Sequence, residues 1–191
     1  MPEAVDPVPS PLSDWVLAWS GRYDRSYDTP IERLAGTSEL GLEETKEVYR
    51  WKLRRLWPER ASRLVERWVD EDVRRLTSRA AQCNDEMAAC RLLQMLPGAG
   101  PAVASALLMA MNPRRYTVMD KRSLKSLHAL GFWPDEYGRV ASTWFYPEYL
   151  SVCRELCAQL GDPVPAGFRT LRTLDRALFK AKGRWPMLPD E

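Results

Sequence analysis

Residues 93–120, LQMLPGAGPAVASALLMAMNPRRYTVMD, decide how this chain folds. Ala89, Leu92, Leu93 and Leu96 recur at helical spacing along one side of a first helix, and Pro97-Gly98 ends it. Gly98 and Gly100 open backbone angles closed to other residues and remove side chains that would fend off a close ligand. Pro101 suits the first turn of a second helix, where its missing N–H is not needed. Val103, Ala106, Leu107, Ala110 and Met111 then mark a buried stripe at three- and four-residue steps. A short loop and the run Tyr116-Thr117-Val118-Met119 lead to Asp120. The turn is expected to present N–H groups and the positive end of a helix dipole at one point. A nucleic-acid phosphate suits such a point.

Outward from this hairpin, which occupies about residues 86–112, the rest of the chain reads as helices. One starts after Ser13 and carries Trp15 and Trp19 four residues apart. Others are expected over 30–36, 41–56, 58–69 and 71–81, then 147–160 and 167–182. The last has Phe168, Leu171, Leu174 and Leu178 on one face, and Asn84 or Asp85 can cap the helix entering the hairpin. The segment from Phe132 to Tyr146 is aromatic and irregular. No stretch sustains strand alternation, so the expected fold is all-α, a helical bundle of two lobes. Residues 1–11 hold four prolines and read as a flexible lead, leaving 12–191 as a single domain.

The 191 residues, 45% hydrophobic, are enough for a proper core. No apolar run approaches a membrane span, and the N-terminus lacks the pattern of a signal peptide. No membrane partner is expected, and the expected location is the cytoplasm. The net charge of +2 says little about partners, but its distribution says more. Arg114, Arg115, Lys121, Arg122 and Lys125 cluster around the single acid Asp120. Such a run is commonly a solvated surface, yet beside an anion-binding turn it reads as a salt-sensitive phosphate contact.

The hairpin resembles the helix-hairpin-helix element of the helix-hairpin-helix/GPD superfamily of DNA glycosylases, which includes endonuclease III and the adenine, 8-oxoguanine and alkyladenine enzymes. The likeness lies in Leu96-Pro97-Gly98-Ala99-Gly100, the small-residue helix at Val103-Ala104-Ser105-Ala106, and Tyr116-Thr117-Val118-Met119-Asp120. Two more blocks, Tyr49 to Arg55 and Leu171 to Phe179, resemble a bacterial branch of that superfamily, with the likeness covering about residues 40–182. The resemblance implies double-stranded DNA as partner, a monomer, and a place at the bacterial nucleoid. It puts the sugar-phosphate backbone on Pro97, Gly98, Ala99, Gly100, Pro101 and Ala102, with Arg114, Arg115, Lys121 and Arg122 beside them. It also implies that Asp120 stabilises charge developing on the deoxyribose and activates water. Members that cut the strand carry a nucleophilic lysine where this chain has Ala102, so lyase chemistry is expected to be absent. Lys52, on a basic helix, is the candidate substitute nucleophile. Its ordinary reading is a solvated charge or phosphate contact.

Asp120 has an equally physical local reading. It directly precedes Lys121-Arg122-Ser123-Leu124, and aspartate is a preferred helix cap. Most of the eight tryptophans read as packing, with Trp51 and Trp144 the candidates to stack an extruded base. Cys83, Cys90, Cys153 and Cys157 do not reproduce the four-cysteine spacing of the family's iron–sulfur cluster, so none is expected, and the single histidine, His128, excludes a histidine-rich metal site. No cofactor is therefore expected, beyond a monovalent cation that the resemblance allows on the hairpin carbonyls. The leading expectation is a monofunctional DNA N-glycosylase. The alternatives are a non-catalytic DNA-binding or assembly protein on the same scaffold, and a helical interaction module that does not touch DNA.

Overall fold

The computed structural model describes residues 11–53, 67–134, 142–161 and 164–183. Among the described residues it is all-helical, with no strand. In chain order the α-helices are α1 (Pro11–Gly21), α2 (Thr29–Glu32), α3 (Leu42–Leu53), α4 (Asp70–Gln82) and α5 (Glu86–Leu93). They continue with α6 (Pro101–Met111), α7 (Lys121–Ala129), α8 (Tyr146–Gln159) and α9 (Leu171–Ala181). Residues 1–10 of the expected lead 1–11 and most of the helix expected over 58–69 lie outside the described residues, while Pro11 already opens α1.

Local chemistry fixes most boundaries. Asp85, rather than Asn84, caps α5 by accepting the Ala88 N–H at 2.9 Å. In α3, Glu43 and Glu44 stand in the first turn and Arg50 and Lys52 in the last, both favourable to the helix dipole. The helix expected from 167 starts at Leu171 instead, because Thr170 Oγ1 accepts the Thr173 N–H at 3.2 Å. Residues Ala166–Phe168 ahead of it form a 3₁₀ turn. The helix expected over 30–36 is shortened to α2, and the loop before it holds a 3₁₀ turn at Arg25–Asp28.

The core forms around α6, whose residues Val103 to Met111 are all buried. A helix apolar on every side must be wrapped by others, and α3, α4 and α5 pack against it. On another side α1 lies along α9, which also meets α7 and α8. Trp15, Trp19 and Trp133 are buried in this core, Trp51 and Trp68 are half-buried against it, and Trp144 is exposed. No helix among the described residues is long and apolar enough to cross a membrane.

Candidate functional site

Two turns of helix α3 join the hairpin to Asp120. Tyr49 donates its hydroxyl to the Pro97 carbonyl at 3.0 Å. One turn further on, Lys52 Nζ lies 2.6 Å from Asp120 Oδ2. Residues three apart on a helix share a face, so the turn and the carboxylate sit on one side of α3. This juxtaposition links residues 48 and 68 positions apart in the chain.

The approach to Asp120 is extended and buried, with Tyr116, Thr117, Val118 and Met119 all inside. Buried backbone without a helix or sheet needs other partners. Tyr146 and Tyr149 of α8 donate to the carbonyls of Thr117 and Val118 at 3.0 and 2.8 Å. Ser105 of α6 accepts the Met119 N–H at 3.0 Å while donating to the Ala102 carbonyl at 3.1 Å. One hydroxyl therefore ties the start of the second hairpin helix to the segment that delivers Asp120. In the sequence Ser105 reads only as a small residue of that helix, and nothing local marks its second bond.

Asp120 caps α7 as its position suggested. Oδ1 accepts the N–H groups of Arg122 and Ser123 at 2.8 and 3.0 Å and the Ser123 hydroxyl at 3.3 Å, while Oδ2 faces Lys52. The side chain is 14% exposed and that of Lys52 11%. Burial alone raises the carboxyl's pKa, but the Lys52 ammonium and the cap amides outweigh it and hold Asp120 below the ordinary carboxylate range. The carboxylate is ionised at neutral pH, with both oxygens engaged.

The turn departs from expectation in one respect. Gly98 has φ +73° and needs to be glycine, whereas Gly100 has φ −73°, open to any residue. A Cβ at Gly100 meets no atom of the described chain, so the space in front of it is available to something outside the protein. Ala99 and Gly100 donate within the turn, to Leu96 and Gly98. The N–H groups of Gly98 and Ala102 have no backbone acceptor among the described residues, leaving these two to meet an anion at the start of α6. For a monovalent cation, the carbonyls of Leu96, Pro97 and Gly98 already accept one bond each and keep a second lone pair.

The other named residues are dispersed. Arg114 and Arg115 follow α6 and stand about 16 Å along it from the turn. Arg115 donates to the Asn84 carbonyl at 2.7 Å, beside the start of α5, so these two arginines do not adjoin the 97–102 turn. Lys121 is exposed, and the Arg122 guanidinium lies 4.6 Å from the centre of the Phe179 ring. Trp51 faces Arg172 of α9 at 5.3 Å, whereas Trp144 carries Arg91 of α5 at 4.2 Å, so the two tryptophans share no partner. Cavities of about 680 and 460 Å³ take no wall from Asp120, Trp51 or Trp144. Cys90 and Cys153 are buried, and burial raises both thiols above their ordinary pKa.

Beyond Trp51 lies an ionic cluster that the sequence reading did not identify. Asp28, fully buried, receives Arg172 at 2.5 Å, Arg176 at 2.7 Å and the Tyr23 hydroxyl at 2.7 Å. Asp175 pairs with Arg172. Burial pushes the Asp175 carboxyl up to about 6, opposed by Arg172 and reinforced by Asp120. For Asp28 burial acts the same way, but Arg172, Tyr23 and Arg176 outweigh it and lower the pKa. One signal was available in the sequence: Asp175 falls within the apolar stripe of Leu171, Leu174 and Leu178, where a charge is out of place unless paired.

Comparison of the chain with protein-family models, with curated proteins and with solved structures gives no match.

Proposed function

We propose that this protein binds duplex DNA through the 97–102 turn and acts as a monofunctional DNA N-glycosylase, with Asp120 as the catalytic carboxylate, at the bacterial nucleoid. The observation that carries the reading is the placement of the turn and Asp120 on one side of α3, through Tyr49–Pro97 and Lys52–Asp120. A phosphate held by the Gly98 and Ala102 amides would bring its deoxyribose toward the carboxylate. In the reaction the C1′–N bond breaks with its electron pair leaving on the base, and the oxygen of water bonds to C1′. The proton lost by water passes to Asp120 and then to solvent, while the departing base takes a proton from solvent. A carboxylate held ionised suits the cationic sugar that develops. Lys52 opposes that cation, so its ammonium has to leave Oδ2 as the sugar enters.

The test is base release from a panel of lesion-bearing and mismatched duplexes, read by alkali cleavage at abasic sites. Release is expected from the wild type and lost in Asp120→Asn. Lys52→Met removes the main influence lowering the Asp120 pKa, so the acid limb of the rate profile is expected to move to higher pH. Borohydride should trap no covalent adduct, since position 102 is alanine. A trapped adduct that disappears in Lys52→Met would instead make Lys52 the nucleophile.

The second reading is a non-catalytic DNA-binding protein, favoured by the engagement of both Asp120 oxygens. It predicts salt-dependent duplex binding undiminished in Asp120→Asn, with no base released from any duplex.

A further inference from the structure

The larger cavity, about 680 Å³, lies at the opposite end of α6 from the hairpin and takes no part in the reaction proposed above. Five arginines line it (Arg114, Arg154, Arg169, Arg172 and Arg176), and three of them, Arg154, Arg172 and Arg176, are paired with Glu86, Asp28, Asp175 or the lining acid Glu32. Its remaining wall is largely apolar, including Ile31, Met109, Ala110 and Leu171. Such a volume is ordinary for a small-molecule site, and the contrast between charged and apolar walls specifies what would fill it.

The arginines are not equivalent. Arg172 and Arg176, one turn apart on α9, are fixed by Asp28 and Asp175 and lie in the buried part of the wall. Arg154 pairs with Glu86 at 2.6 Å and donates to the Arg115 carbonyl at 2.8 Å, which holds it in place. Arg169 donates Nε–H to the Val164 carbonyl at 2.9 Å. Arg114 is exposed and has no acidic partner among the described residues. Arginines from three segments of chain thus line one space, with Thr170 and the start of α9 beside them. A carboxylate brings one charge on two oxygens. A phosphate monoester carries up to two charges on three terminal oxygens, and several guanidiniums can engage it. The apolar wall asks for a hydrophobic body attached to that anion, because a bare ion would leave it wet.

We infer that this cavity binds a phosphate monoester carrying an apolar, ring-sized group. Its guanidiniums take the phosphate, and the Met109, Ala110 and Leu171 wall takes the ring. Binding is independent of Asp120 and of the hairpin.

Calorimetric titration of the full chain with 1-naphthyl phosphate tests this, alongside 1-naphthol, 1-naphthoate and inorganic phosphate. Saturable binding of 1-naphthyl phosphate is expected, about tenfold or more tighter than each of the three comparison compounds. The variants Arg114→Ala and Arg169→Ala remove guanidiniums outside the buried ionic cluster, and circular dichroism is expected to show both folded. Together they should weaken 1-naphthyl phosphate by about tenfold or more, and Arg169→Ala alone should leave Asp120-dependent base release unchanged. Equal binding of 1-naphthoate would overturn the assignment of phosphate, and equal binding of 1-naphthol would overturn the role of the arginines. The inference also fails if 1-naphthyl phosphate does not bind, or if the double variant loses duplex DNA affinity instead. In that last case the cavity wall belongs to the nucleic-acid surface.

Discussion

Asp120 and Asp28 are both ionised carboxylates facing cations, yet they are held in opposite ways. Asp120 is anchored by its own helix end, through the Arg122 and Ser123 amides, with Lys52 as its one distant partner among the described residues. Asp28 is fully buried and takes its charged partners from α9, 144 and 148 residues away. A carboxylate with a local cap keeps its position when the distant partner changes. One held by remote guanidiniums is a structural joint, because removing it takes away the carboxylate that two buried cations share. Among the described residues that leaves Arg172 only the acid Asp175 and Arg176 only the exposed acid Glu32. The contrast separates a residue suited to chemistry from one suited to holding the 3₁₀ turn at Arg25–Asp28 against α9.

The largest effect is expected at that joint. Asp28→Ala removes the carboxylate shared by Arg172 and Arg176, which keep only Asp175 and Glu32 as acidic partners, and stability should fall by about 3 kcal/mol in urea unfolding. A loss below about 1 kcal/mol would mean that Arg172 and Arg176 find other partners or water, and would erase the contrast with Asp120.

Next comes Asp175. Its folded pKa of about 6 lies above the ordinary 3.8, so between these values the native state holds more protons than the unfolded chain. This group therefore lowers stability as pH rises from about 4 to 6, on the order of 2–3 kcal/mol. Asp28 and Asp120, both depressed, act in reverse: their stabilisation is present above the ordinary carboxylate range and is lost as pH falls below it. Asp175→Asn should remove the decline across pH 4–6 while leaving the acid-side loss in place. An unchanged stability profile in that variant would show that Asp175 does not titrate in this window.

Asp120→Asn should cost only about 1–2 kcal/mol, because asparagine still caps α7 and only the Lys52 partner is lost. The smallest effects belong to the turn. Gly98→Ala forces a Cβ into φ +73° and should cost about 1 kcal/mol. Gly100→Ala should leave the melting temperature unchanged while weakening duplex binding at low salt, since its Cβ would project into space the protein does not use. Undiminished DNA binding in Gly100→Ala would remove the turn from the interface.

Much of the candidate site was legible as separate pieces. The Pro-Gly-Ala-Gly turn, the buried helix behind it and the cap at Asp120 all follow from neighbouring residues. Tyr49 and Lys52 fell within a block singled out by resemblance, but nothing in that block said that one reaches Pro97 and the other Asp120. Expecting Arg114 and Arg115 beside the hairpin failed for a related reason. Fourteen or fifteen residues seem close in sequence, yet most of them form the rigid rod of α6.

The sequence by itself determined that the described residues are helical and, within a few residues, where most of their helices begin and end. These follow from backbone angles, caps and apolar spacing, which act over a few residues. Only the tertiary structure decided that Lys52 meets Asp120, that Ser105 joins Ala102 to Met119, and that Asp28 is surrounded by α9. Those pairings depend on how helices lie across one another. A side chain's identity states which partners would satisfy it, and the packing of α3, α6 and α9 selects which ones it receives.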